Sequence, residues 1–323
     1  VTSEQRHPSL TPVADGVTMI DTVMTGEPEF NAVFVLDGDE PTLVETGPGA
    51  DLPVVLEALE VLGIGKDDLA HVVVTHIHLD HAGAAGALAS RFSNAIVWAH
   101  MRGAPHLADP ARLIASTART YGEPRMQTFF GQTEPVPAER LRAVSDGDTI
   151  RLGRRALAVV HTPGHASHHV ALHDLRSGAL FSGEAIGSHL PWGPAFRPAL
   201  PPPEVDVEAA LDSIERIRGR APLSLLASHF GPVPDVDEAC DAAAERIRSW
   251  SHIVRCALER DHDADVDTVT AELRSLAASE FEAETGRPID MARYDAIGSI
   301  AMNAAGLSRY WRKRWERERE PES

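Results

Sequence analysis

Apolar and polar positions along this chain fall into two textures. From Val17 to about Pro234, short apolar runs alternate with stretches of helical spacing; beyond Pro234 helical spacing is almost all that remains. Val33-Phe34-Val35-Leu36, a turn at Asp37-Gly38-Asp39-Glu40-Pro41, and Thr42-Leu43-Val44-Glu45 read as strand, turn, strand. Leu52, Val55, Leu56, Leu59 and Leu62 then recur at helical spacing, which predicts a helix over about 51–62. His71-Val72-Val73-Val74-Thr75 reads as a buried strand, residues up to Leu88 and Arg91 as a helix, and Ala95 to Ala99 as a further strand. Such alternation predicts an α/β layer.

Residues 100–140 carry eight glycines and prolines, among them Gly103, Pro105, Pro110, Gly122, Pro124 and Gly131, and read as a long irregular connection. Strand signals return at 141. Ala156 to Val160 leads into His161-Thr162-Pro163-Gly164-His165, Val170 to His173 follows, and Ala179 to Phe181 leads into Ser182-Gly183-Glu184. Residues 187–204 are so rich in proline that they read as an irregular wall or lid. A helix is expected over 206–218, then a strand from Leu223 to Ala227 that delivers Ser228-His229. Past a boundary near 235, helices are expected over 236–260, 266–283 and 290–318. Cys240, Ala243, Ile247, Trp250, Val254 and Ala257 trace one apolar stripe; Met291, Tyr294, Ile297, Ala301 and Ala305 trace another. The expected domains are residues 1–235 and a helical region, 236–323.

Composition bounds the function classes. A formal charge of −18 disfavours a nucleic-acid backbone or an anionic membrane as partner. No apolar stretch is long enough to span a bilayer. Two cysteines, Cys240 and Cys256, make no disulfide framework, so a reducing, cytoplasmic setting is expected.

The chemistry is concentrated in His76-Ile77-His78-Leu79-Asp80-His81-Ala82-Gly83. Three imidazoles and a carboxylate within six positions, on the turn after a buried strand, point to a metal site. Later strand ends add His165, Glu184 and His229, each beside glycine or a small residue. His161 reads as structural and Arg102 as a surface residue; His106, His168, His169, His189 and Trp192 could border a site. Ser182 and Ser228 lack a base and its orienting partner, which argues against a serine hydrolase.

HIHLDHAG, TPGHASHH, FSGEAIG and SHFGP, in that order and preceded by NAVFVLDGDEPTLVETGPG, resemble the metallo-β-lactamase fold superfamily over roughly residues 15–235. The resemblance implies an αββα sandwich, here with an added C-terminal helical region. It implies that His76, His78 and His165 hold one metal and Asp80, His81 and His229 the other, with Glu184 where an aspartate usually bridges the two. Asp80 would also orient the attacking hydroxide and take up a proton. Two divalent ions are implied, zinc first, with iron or manganese as alternatives because Glu184 is one methylene longer than aspartate. Glu45 stands where an aspartate is common and is expected to support a ligand histidine.

The activity so implied is hydrolysis of an ester, lactone, thioester or amide carbonyl of a small molecule by a metal-bridging hydroxide. An iron-dependent oxidoreductase on the same fold is the alternative, and a non-catalytic metal-binding module comes third. The C-terminal helices are expected to complete the pocket wall or to form a homodimer interface.

Overall fold

A computed structural model of the chain describes residues 8–193, 196–296 and 298–319. In chain order the first elements are β1 (Ser9–Ala14), β2 (Val17–Asp21), β3 (Ala32–Leu36), β4 (Thr42–Val44), α1 (Leu52–Val61) and β5 (His71–Val73). There follow α2 (Leu79–Ala82), α3 (Ala85–Arg91), β6 (Ile96–His100), α4 (Ala104–Ala108), α5 (Ala111–Tyr121) and α6 (Glu123–Phe130). Strands β7 (Leu141–Val144), β8 (Thr149–Leu152), β9 (Arg155–His161), β10 (Val170–Asp174) and β11 (Ala179–Gly183) come next, then the short pair β12 (Ser188–His189) and β13 (Phe196–Arg197). After α7 (Val207–Arg218), β14 (Ser224–Ala227) and β15 (Gly231–Val233), only helices remain: α8 (Val236–Arg260), α9 (Val266–Thr285), α10 (Met291–Tyr294) and α11 (Ile300–Arg319).

The described chain forms two compact units. The first takes residues up to His161, His168–Gly183 and Arg220–Pro234; the second takes Thr162–Ser167, Glu184–Gly219 and everything from Asp235 on. Both large sheets belong to the first unit. One runs β1-β2-β3-β4-β5-β6-β7, antiparallel up to β4 and parallel from there. The other runs β15-β14-β11-β10-β9-β8, antiparallel except for the parallel β11–β14 pair.

Strand periodicity explains the layering of this unit. Along β3, Ala32, Phe34 and Leu36 face a core shared with the second sheet, where Phe34 meets Phe181 edge-on at 5.2 Å between ring centroids. Val33 and Val35 point the other way, into a core built with Val55, Ala58 and Leu59 of α1 and Leu88 of α3. Two opposite faces of one strand are therefore both buried, which is why this segment reads as an unbroken apolar run.

Residues 100–140 are largely helical, contrary to the irregular connection expected. The prolines and glycines mark helix ends rather than breaks. Pro105 and Pro124 occupy the first turns of α4 and α6, where a missing N–H costs nothing. Gly122 and Gly131 close α5 and α6 with positive φ. Within 187–204, expected to be irregular throughout, β12 and β13 pair antiparallel; Pro194 and Ala195 lie outside the described residues.

In the second unit, α7, α8 and α9 each start on an aspartate (Asp206, Asp235, Asp265) whose carboxylate accepts a backbone N–H three residues on. All six residues of the stripe from Cys240 to Ala257 are buried. The second stripe is out of phase. The single helix expected over 290–318 is broken between Tyr294 and Ile300, so α11 buries Ile300, Ala304 and Leu307 while Ala301 and Ala305 are half-buried. Ile297 is outside the described residues. Among the described residues no helix is long and apolar enough to cross a membrane.

Candidate metal centre

Five of the seven ligands expected from the sequence lie in the first unit. The chain leaves β5 at Val73 and runs through His76 to His78 before α2 begins at Leu79, so Asp80 and His81 occupy its first turn. His229 arrives from the end of β14. One ligand atom from each of Asp80, His81 and His229 lies within 4.8 Å of the others, and the same holds for His76 with His78. His76, His81 and His229 are almost wholly buried, whereas His78 and Asp80 are partly open.

Asp80 Oδ2 stands 3.5 Å from His81 Nε2 and 3.4 Å from His229 Nε2. Ligand atoms around a tetrahedral ion with bonds of about 2.0–2.2 Å are separated by roughly 3.3–3.6 Å, so these edges have the dimensions of a coordination shell. The His229 tautomer fits as well. Its Nδ1 lies 2.6 Å from the Phe30 carbonyl, which can only accept, so Nδ1 carries a proton and Nε2, the nitrogen on the Asp80 side, is the one available to a metal. A cation between that nitrogen and the carboxylate could be bound by both. The donor set therefore fits a divalent metal.

Glu45 supports this constellation from beneath. It follows β4 at φ 63°, a left-handed conformation that costs a non-glycine residue roughly 1–2 kcal/mol, and its side chain is 1% exposed. The carboxylate accepts hydrogen bonds from Thr75 N–H, the Thr75 hydroxyl and the Ser228 hydroxyl, and Oε1 lies 3.3 Å from His81 Nδ1. Thr75 also lies 3.0 Å from His76 Nδ1. The backbone is held too: Asn31 donates to the Asp80 carbonyl at 2.8 Å, and Thr46 donates to the His81 carbonyl from both its N–H and its hydroxyl. Gly183 permits the close packing behind, since a Cβ there would meet His169 Nε2 at 2.4 Å and Thr75 Oγ1 at 2.7 Å.

The other two expected ligands lie together in the second unit. His165 Nε2 is 2.9 Å from Glu184 Oε2, and both side chains are buried. His165 Nδ1 is 2.9 Å from the Ala199 carbonyl, which again assigns the proton to Nδ1 and directs Nε2 at the carboxylate.

Neighbouring residues sort as follows. His161 stacks flat on His100, ring centroids 4.5 Å apart, at the ends of β9 and β6. The His168 ring lies 5.6 Å from that of His78, and the His169 ring 5.0 Å from that of His76. Arg102 is exposed and His106 half-buried. In the second unit His189 packs on Phe196, and Arg293 lies over Trp192. Asn31, Thr46, Thr75 and Ser228 are positioning residues that motif reading passed over. Thr75 and Ser228 each directly precede an expected ligand histidine, the one signal that marks them in the sequence.

Comparison with known proteins identifies the family. The profile of the metallo-beta-lactamase superfamily matches residues 26–229. The chain is 26% identical over 210 residues to the uncharacterized protein YobT of Bacillus subtilis, covering 62% of this chain and 82% of that one. It is 31% identical over 180 residues to the acyl-coenzyme A thioesterase MBLAC2 of Gallus gallus, and 31% over 162 residues to a hydroxyacylglutathione hydrolase of Aeromonas hydrophila. Each match takes 50% of this chain; the chain covers only 60% and 49% of those two proteins. Among solved structures, a beta-lactamase domain protein from Burkholderia ambifaria superposes with a TM-score of 0.65 at 20% identity, covering 98% of this chain and 91% of its own. The family protein TTHA1429 from Thermus thermophilus gives 0.61 at 19%, covering 95% and 94%. With its motifs, its two mixed sheets and its additional C-terminal helices, the chain belongs to the metallo-beta-lactamase superfamily of metallo-hydrolases.

Proposed function

We propose that this chain is a dinuclear metal-dependent hydrolase of small-molecule thioesters. His76, His78 and His165 would hold one divalent ion and Asp80, His81 and His229 the other, with Glu184 shared between them. The observation that carries the reading is the Asp80 carboxylate set at coordination-edge distances from two buried imidazoles. Bound divalent ions, zinc in the first instance, would polarise the substrate carbonyl and supply a water that ionises near neutral pH.

The chain's own residues provide orientation and proton transfer. Hydrogen bonds at Nδ1 hold His229 and His165 in the tautomer that a metal requires. Asp80 is more open than the histidines it faces, with a side chain 19% exposed, so a water in the site can reach it. Its carboxylate would orient that water and accept its proton as oxygen bonds to the acyl carbon. The carbon–sulfur bond then breaks, and the proton returns to the leaving thiolate. Thioesters are preferred over other acyl substrates because MBLAC2 is named an acyl-coenzyme A thioesterase, and another relative, 25% identical over 181 residues, an atrochrysone carboxyl ACP thioesterase.

The test combines elemental analysis with a panel of acyl thioesters, oxygen esters, lactones and a β-lactam, using metal-free and zinc-reloaded protein. Thioester hydrolysis that disappears on metal removal and returns on reloading is expected. Undiminished turnover by metal-free protein would overturn the metal reading. Zinc-loaded protein that cleaves lactones or β-lactams but no thioester would overturn the substrate class.

A further inference from the structure

The second unit connects its C-terminal helix to His165 through a single peptide group. The carbonyl of that group, Ala199 O, accepts the His165 Nδ1 hydrogen bond at 2.9 Å. Its N–H, on Leu200, donates to Asn303 Oδ1 on α11 at 2.8 Å. Asn303 is 2% exposed, and its amide nitrogen donates at 3.3 Å to the carbonyls of Gly298 and Ser299. Those two acceptors dictate which end of the amide faces Leu200. The approach is close because α11 has no side chain at Gly306, where a Cβ would lie 1.9 Å from the Leu200 carbonyl oxygen. The loop that carries His165 is tied down in the same unit: Ser167 N–H donates to the Glu204 carboxylate, and Ser213 donates to the Pro163 carbonyl.

We propose that Asn303 is a positioning residue for His165, so that the C-terminal helix sets the tautomer and direction of a metal ligand. Polarising the Leu200 N–H strengthens the acceptor at the other end of the same peptide, and that acceptor holds the Nδ1 proton. The role assigned to α11 goes beyond covering an apolar surface, and it rests on the reading of His165 as a ligand.

The experiment uses the full chain with Asn303→Ala, Asn303→Leu and His165→Ala. Zinc affinity is read by chelator competition, and the His165 ring nitrogens by 15N NMR of the metal-free protein. Asn303→Ala is expected to weaken one zinc-binding step about 10–100-fold and to shift the His165 Nδ1 signal. Asn303→Leu, which keeps much of the side-chain volume but offers Leu200 no acceptor, is expected to lose both to a similar extent. Wild-type zinc affinity in Asn303→Ala or in Asn303→Leu overturns the inference. Loss of zinc in His165→Ala with wild-type affinity in Asn303→Ala overturns this inference alone. A full zinc complement in His165→Ala overturns the ligand assignment and this inference with it. Hydrogen exchange of the Leu200 amide in the wild-type chain needs no variant: slow exchange is expected, and exchange as fast as an open loop overturns the proposal.

Discussion

The Ser228 hydroxyl donates to Glu45 Oε1 at 2.9 Å across 183 positions of sequence, joining the end of one sheet to the end of the other beneath His81. The residue before one proposed ligand thus holds the carboxylate that faces another. Ser228→Ala removes a buried bond to a charged acceptor and is expected to lower stability by about 1.5–3 kcal/mol. Glu45→Gln keeps the volume but removes the charge facing His81, and is expected to weaken metal binding about 10–100-fold. Urea unfolding and chelator competition measure the two; unchanged metal affinity in Glu45→Gln would make Glu45 a purely structural residue.

His76→Ala and His229→Ala are expected to lower bound metal and abolish turnover, whereas His161→Ala keeps its metal because that ring stacks on His100. Elemental analysis decides, and full metal in His229→Ala would remove the second ion from the proposal.

Glu184 offers a finer probe. Shortening it to aspartate withdraws the carboxylate by one carbon–carbon bond, about 1.5 Å, from its place 2.9 Å from His165 Nε2. Glu184→Asp is expected to keep both ions with altered activity, and Glu184→Ala to lose one ion preferentially. Wild-type metal content and turnover in both variants would contradict the shared-ligand role.

Far from these ligands, Arg155 and Asp174 form a buried pair, Nε and Nη2 each reaching a carboxylate oxygen. Burial raises the Asp174 pKa, but hydrogen bonds from Arg155 and Ser177 and the arginine charge outweigh it, and the net shift is downward. The stability this group contributes is therefore full above its unfolded pKa of about 3.9 and is lost as pH falls through the lower folded value. Asp174→Asn leaves the arginine charge buried and should cost about 3–5 kcal/mol, read from urea midpoints at neutral pH.

His100 works in the opposite direction from an ion-paired histidine. Burial pushes its pKa down to about 4, assisted by the His161 ring and the Arg102 charge and opposed by Asp146. The Arg102 N–H donated to Nδ1 at 3.3 Å suits the neutral ring. The unfolded chain takes up this proton near pH 6.5 and the folded chain only near 4, so stability is lost as pH falls between those values. His100→Gln should flatten that part of the pH–stability curve, and an unchanged slope between pH 7 and 5 would exclude His100 as its source.

Local spacing carries much of the architecture. Short apolar runs predict the strands around 33–45, whose two faces are both buried, and period-3.6 patterns predict the α7 helix and the start and end of α8, because each helix buries the face its own sequence makes apolar. The ordered histidine motifs identify the family for a related reason: a metal-binding turn needs its imidazoles within a few residues of one another, which leaves a compact mark in the sequence. Where prolines and glycines could either break a helix or cap one, as over 100–140, pattern alone was ambiguous and packing chose the caps.

The support of the ligands was decided by tertiary structure. Glu45, Thr75, Ser228, Asn31 and Thr46 act through hydrogen bonds to chain distant in sequence, several of them to backbone carbonyls that every residue possesses and no sequence pattern marks. The link from α11 to His165 is of the same kind, passing through the peptide between Ala199 and Leu200. Sequence could name the groups able to bind a metal, because that property belongs to side chains. The tautomer and direction of each ring come from the neighbours that the fold brings to it.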